Sequence, residues 1–244
     1  CRLARKYGPS DVKLFINDYN LEGVWDITTK DGISASKKVW SMVNWIKKWE
    51  KDGVTKIDGI GTQMHISYYE NNSSQENLKK AITGMFKVMA KSGKLVRVSE
   101  MDMGYVPNGQ NKGISTSQLT EEQHKQMADF YKWIIQEYLS IVPAEQQWSI
   151  CQWCPTDAPE YSGWRANEPV GIWDLDLYRK HVYAGFVEGL GGKASTGIGK
   201  MKTDKTNDAS KGIYTINGVR LNATSSDNLP SGIYIIDGKK VVVK

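Results

Sequence analysis

Glu100 and Asp102 stand two residues apart, and so do Gln63 and His65. On an extended strand, residues i and i+2 project to the same side. Each pair ends an apolar run, so each is expected at the end of a strand. If the two strands are neighbours, a Glu, an Asp and a His meet at one mouth. A carboxylate held by a histidine and backed by a second carboxylate stays ionised and oriented, which suits a nucleophile attacking a sugar carbon. Two other readings use the same residues. One is a buried ion-pair network that only fixes strand ends. The other is a metal site of His65, Glu100 and Asp102, for which no second histidine stands near; His124 and His181 fall in other segments.

Four segments are expected to be strands, at residues 12–17, 57–65, 95–101 and 147–153. Helical spacing of apolar residues, with Val39, Val43, Ile46 and Trp49 as one stripe, predicts a helix over 33–50. Others are expected over 73–91, opening on a Ser-Ser-Gln-Glu capping box, over 119–141, opening on Thr-Glu-Glu-Gln, and over 177–189. Strand–helix alternation predicts a parallel α/β sheet. In closed parallel barrels the chemistry gathers where strands end. The four ends read Asn17-Asp18-Tyr19-Asn20, Gly61-Thr62-Gln63-Met64-His65, Ser99-Glu100-Met101-Asp102 and Gln152-Trp153-Cys154-Pro155-Thr156-Asp157. All are polar or aromatic, as a shared cleft requires.

The composition of the 244 residues is that of a folded protein, with 40% hydrophobic and 24% charged. No apolar run approaches the roughly 18 residues that a membrane-spanning helix needs. Residues 193–244 hold nine Lys or Arg against four Asp or Glu, which is the whole net charge of +5; the rest is balanced. A neutral body with a basic tail does not read as a nucleic-acid binder. Three cysteines exclude a disulfide scaffold, and Cys151 and Cys154, three apart on a strand, would face opposite sides, so they read as structural thiols. Nine Trp and twelve Tyr supply either core or flat platforms for sugar rings. The chain begins at Cys1 without a Met, so a native start upstream is expected.

Residues 189–211 are rich in Gly, Ser, Thr and Lys and read as a flexible linker. After them, "GIYTING" and "GIYIIDG" repeat a β-rich run closed by an Asn-Gly or Asp-Gly turn pair, which predicts a small antiparallel β module. The expected organisation is a body over 1–190, a linker over 191–211 and a β module over 212–244. Four βα units cannot close a barrel, so the body is either a small open sheet or half of an eightfold barrel.

"LFINDYNLE", "IDGIGTQMH", "VRVSEMD" and "WCPTDAPEYSGWR" resemble, in order, the strand-end motifs of glycoside hydrolase family 10, the endo-β-1,4-xylanases. The resemblance runs from Arg2 to Gly189. It implies a (β/α)8 TIM barrel of which only strands five to eight and their helices are present. By the same resemblance Glu100 is the catalytic nucleophile, His65 its hydrogen-bond partner, and Asp102 the carboxylate that orients the histidine. Gln63 lies beside the bound sugar, Asn17 and Tyr19 on the aglycone side, and Trp153 and Trp164 over the glycone side, with Asp157 and Arg165 completing the substrate-binding set. The family's acid/base Glu, in an Asn-Glu pair after strand four, has no counterpart in that place. Asn167-Glu168-Pro169 matches its signature only superficially, because it follows strand eight.

The implied function is retaining hydrolysis of internal xylan bonds, with no cofactor and no metal, and with the missing half of the barrel as a necessary partner. Rival readings are a non-catalytic xylan-binding remnant and another retaining β-glycanase. The tail resembles the C-terminal sorting-type modules of secreted Bacteroidetes proteins, which implies a secreted, periplasmic or cell-surface location.

Overall fold

The computed structural model describes residues 1–192, 212–215, 220–221, 229–237 and 239–243. The expected linker, from residue 193 on, and the Asn217-Gly218 turn lie outside the described residues. The chain divides into two compact units, Cys1–Ser195 and Thr196–Lys244.

The first unit opens on a short helix, α1 (Arg2–Tyr7), and strand β1 (Phe15–Asp18). A hairpin of β2 (Ile27–Lys30) and β3 (Ile33–Ser36) precedes α2 (Lys37–Trp49). Strands β4 (Gly59–Thr62) and β5 (His65–Tyr69), helix α3 (Asn72–Lys91) and strand β6 (Leu95–Val106) follow. The unit closes with α4 (Glu121–Ile141), β7 (Gln147–Gln152) and α5 (His181–Gly189). Strands β1, β4, β6 and β7 lie side by side in that order, all parallel, with β5 added beside the outer half of β6. Sequential parallel strands with helical crossovers are the expected α/β architecture. Among the described residues no strand covers the free edge of β1 or of β7.

Several boundaries differ from the sequence reading. The helix expected from residue 33 starts at Lys37, because Asp31 (φ 51°) and Gly32 (φ 74°) make a two-residue turn that folds 27–36 into a hairpin. Ser36 then caps the helix by accepting the Val39 N–H at 3.2 Å. Helix α3 is capped by Asn71, not by the serine pair, whereas the Thr120–Gln123 capping box of α4 is present as expected. The strand expected over 57–65 breaks at Met64 (φ 64°), and His65 begins a new strand. The last helix starts at His181, not 177.

Helices α2, α3 and α4 pack their apolar stripes on the sheet around Val43, Ile60, Phe86, Met101 and Ile134, all buried. Gly84 allows α3 to lie directly on β3: an added Cβ would stand 1.9 Å from the Ser34 carbonyl oxygen. The second unit is a four-stranded antiparallel sheet of β8 (Ile213–Thr215), β9 (Arg220–Leu221), β10 (Gly232–Ile236) and β11 (Lys239–Val243), in the order β11-β10-β8-β9. Among the described residues no helix is long and apolar enough to cross a membrane.

Candidate functional site

The site forms where β4, β5, β6 and β7 end. Thr62 pairs with Val98 and His65 with Asp102, so two residues of the neighbour oppose three on β6. On the other side, Val98 pairs with Ile150 and Met101 with Gln152, so one residue opposes two. Strand β6 therefore bulges at Ser99-Glu100, and bulges re-aim side chains beside active sites. The Glu100 N–H donates to the Gln63 carbonyl at 3.1 Å and the Asp102 N–H to that of Met64 at 3.4 Å, which fixes both carboxylates against the break in the neighbouring strand.

His65 stands between the two carboxylates. Its Nε2 is 3.4 Å from Oε2 of Glu100, and its Nδ1 is 3.0 Å from Oδ2 of Asp102. Both approaches have ion-pair distance without hydrogen-bond alignment, and the buried Nδ1 has no hydrogen-bond partner. The same Oδ2 takes a 2.7 Å hydrogen bond from Nε1 of Trp164. Asp102 is fully buried, and its Oδ1 accepts from Arg165 at 3.2 Å. Glu100 keeps partial solvent access, so within this cluster it is the carboxylate a ligand can reach.

Two indoles flank the histidine. Trp153 meets His65 edge-on at 5.7 Å between ring centroids, and Trp164 meets it tilted at 4.7 Å. Their exposures are 49% and 43%, so both keep a face open. Large exposed aromatics around a buried ionic cluster are suited to holding a flat apolar ring face.

Arg165, in the left-handed region at φ 50°, sits behind this layer. Its guanidinium donates to the Ile66 carbonyl at 2.6 Å and the Ser67 hydroxyl at 2.7 Å, besides Asp102, and pairs with Glu168 at 2.9 Å. It ties the loop after β7 to β5 and β6. Asn17 accepts from Ser99 at 2.8 Å, next to Glu100. Gln63 meets Glu100 through its backbone.

Two residues of the sequence-predicted set lie apart from the cluster. The Tyr19 ring is exposed and covered by Lys38, whose Nζ is 3.6 Å from its centroid. Asp157 is 2% exposed, and its oxygens are taken by the Thr116 hydroxyl, the Gly171 N–H and the Lys180 ammonium. Burial depresses the pKa of that lysine despite the nearby Asp157. Among the described residues no disulfide joins Cys151 and Cys154, and burial raises the Cys154 thiol to about 11. Sequence reasoning missed Glu22, whose burial is complete enough to raise its carboxyl above the usual range, and which accepts from Thr62 at 2.9 Å. Its position five residues after Asn17 was the available signal.

Residues 1–189 match glycosyl hydrolase family 10. The chain belongs to that family. It is 36% identical over 131 residues to an endo-1,4-beta-xylanase A of Thermoanaerobacterium saccharolyticum, covering 53% of this chain and 9% of that protein. It is 29% identical over 206 residues to an endo-1,4-beta-xylanase A of Cellvibrio japonicus, covering 79% of this chain and 30% of that protein. A mutant xylanase 10C of the same organism, solved in complex with xylopentaose, superposes with a TM-score of 0.58 at 24% identity, covering 78% of this chain and 36% of the other, a likeness in fold. The chain thus spans well under two thirds of these relatives.

Proposed function

We propose that the chain is the C-terminal half of a retaining endo-1,4-β-xylanase barrel, strands five to eight, followed by a small β module. The observation that carries this is the line Glu100–His65–Asp102 at the strand ends of a family 10 fold. Glu100 attacks the anomeric carbon of a xylosyl residue as the glycosidic bond breaks, giving a covalent glycosyl-enzyme. A carboxylic acid from the other half of the barrel, about 5–5.5 Å from Glu100 in retaining geometry, protonates the leaving oxygen and later activates the water that releases the sugar.

His65 fixes the attacking oxygen, and Asp102 fixes His65. Arg165 works through Asp102 as a positioning residue. Trp153 and Trp164 hold the glycone rings, and Asn17, Tyr19 and Gln63 line the remainder of the cleft. No step needs a metal or cofactor. The xylanases among the relatives, and the one bound to xylopentaose, support xylan as the substrate. The resemblance of the tail to sorting-type modules supports export to the periplasm or cell surface.

The 244-residue chain alone lacks the acid/base, whose contribution is typically about 10²–10⁴-fold. It should therefore hydrolyse unactivated xylan little or not at all, and regain activity when the other half-barrel is supplied. Ordinary xylanase rates from this chain alone would contradict that claim. Comparing xylan with cellulose separates a general β-glycanase, because a hydroxymethyl group needs room beside Trp153 and Trp164.

A further inference from the structure

Helix α2 keeps Val39, Val43 and Ile46 against the sheet, so its opposite side faces outward, away from the strand ends that carry Glu100. Polar and charged residues belong on such a side. Two tryptophans stand there as well. Trp45 and Trp49, one helical turn apart, are 46% and 42% exposed, with ring centroids 6.0 Å apart and planes at 32°. Each leaves nearly half its surface to water, so packing of the core does not account for them, and paired exposed indoles mark a contact surface.

The hollow at Trp45, about 370 Å³, is lined also by Lys30, Lys37, Ser41, Asn44 and Lys48, and by no acid. Lys48 holds its ammonium 4.3 Å from the centroid of the Trp45 ring. Helix α2 carries four lysines and no Asp or Glu. Lys47 and Lys48 suit the negative end of the helix dipole, but Lys37 lies in the first turn, where the dipole disfavours a cation. Lys38 is paired with Asp18, whereas among the described residues Lys30, Lys37 and Lys48 form no ion pair. Residues 1–192 are charge-balanced as a whole, so these three cations are a local excess. Uncompensated ammonium groups around an exposed indole pair fit a ligand that joins flat C–H faces to carboxylates. Ser41 and Asn44 add donors and acceptors for hydroxyl groups. A glycan bearing uronic acids has all three features.

We propose that the outer face of α2 is a second glycan site, remote from the cleft, which holds a uronic-acid-bearing stretch of xylan with its sugar faces on Trp45 and Trp49 and its carboxylates on Lys30, Lys37 and Lys48. The xylan backbone of this ligand rests on the proposed function; the acidic, aromatic character of the site does not. Held there, one stretch of a polymer keeps the rest of it close to the cleft without taking part in bond cleavage.

The test uses the whole 244-residue chain with ¹⁵N-labelled indoles. It is titrated with a xylo-oligosaccharide bearing glucuronic acid, with linear xylohexaose, with oligogalacturonate and with vesicles of an anionic phospholipid. The Trp45 and Trp49 indole signals should shift with the glucuronic acid ligand at lower concentration than with xylohexaose. Trp45→Ala should weaken that contact about tenfold. Lys48→Gln, at an exposed position, should weaken it about threefold or more at low salt, and added salt should erase the difference. Labelling of Glu100 by an activated fluoro-xylobioside should be unchanged in both variants. If Trp153 and Trp164 respond while Trp45 and Trp49 stay silent, this inference fails and the proposed function stands. Equal response of Trp45 to xylohexaose, with Lys48→Gln like the parent, overturns the acidic ligand. Tighter binding of oligogalacturonate or of the vesicles through Trp45 overturns the assignment to xylan. Self-association of the chain that Trp45→Ala abolishes gives the face to a second copy and overturns the glycan site. If no indole responds to any xylo-oligosaccharide, the proposed function and this inference both fail.

Discussion

The Nε1 hydrogen of Trp164 points at the buried Oδ2 of Asp102 over 2.7 Å, so the tryptophan that offers a ring to the cleft also anchors the carboxylate beneath it. Platform and ionic cluster are one construction.

Replacing Trp164 by Phe keeps a ring and removes the donor. A buried acceptor left short of a hydrogen bond costs about 1–3 kcal/mol. Trp164→Phe should lower the urea midpoint correspondingly without changing the slope, whereas Trp153→Phe, at an indole for which no such bond is formed, should be close to neutral.

Asp102 is fully buried against Arg165, so removing it leaves a guanidinium that keeps only Glu168 as an ionic partner. Breaking one partner from a buried pair costs about 3–5 kcal/mol. Asp102→Ala should approach that loss, and Asp102→Asn, which retains the acceptor oxygen, should lose less.

The pair of Lys180 and Asp157 holds the loop after β7 in the same way, 6% and 2% exposed as side chains. Lys180→Met should destabilise by about 3–5 kcal/mol. Adding Asp157→Asn should restore part of the loss, because the unpaired buried charge then disappears. An additive double variant would contradict the pairing.

Carboxylates in this fold pull stability in opposite directions with pH. Burial raises Glu22, so the folded chain holds its proton more tightly, and its contribution is lost as pH rises from about 4.3 through the raised value. Glu22→Gln should therefore gain stability relative to the parent as pH rises toward neutrality. Burial also pushes Glu50 and Asp58 upward, but it is outweighed for Glu50 by Lys94 and the Ile57 N–H and for Asp58 by the Leu14 N–H and Arg5, so both end lowered. Their contribution is present above about 4 and lost as pH falls through the lowered values. Urea midpoints against pH for the parent, Glu22→Gln and Asp58→Asn test both signs.

The strand ends were legible because their motifs join apolar runs to clustered polar residues, and the alternation of strands and helices carried the parallel sheet. What escaped was local backbone. Asp31-Gly32 folds a hairpin out of what reads as helix, because the apolar stripe of α2 extends visually into residue 33. Period-2 counting fails at Met64, whose left-handed conformation no alternation pattern reports. His65 reaches both carboxylates all the same, because the bulge in β6 compensates for the break. The role of Arg165 behind Asp102, and of Asp157 with Lys180, depends on partners about 60 and 20 residues away, which single-sequence spacing does not contain.

The account turns on Glu100 as the attacking group. A 2-deoxy-2-fluoro-xylobioside with an activated leaving group needs no general acid, so it reports the nucleophile even in a half-barrel. Exposing the 244-residue chain to it and mapping the adduct by mass spectrometry should place one glycosyl group on Glu100 and none on the Glu100→Ala variant. An adduct on another residue, equal labelling of the variant, or no adduct at concentrations where the indoles of Trp153 and Trp164 register the ligand would contradict it.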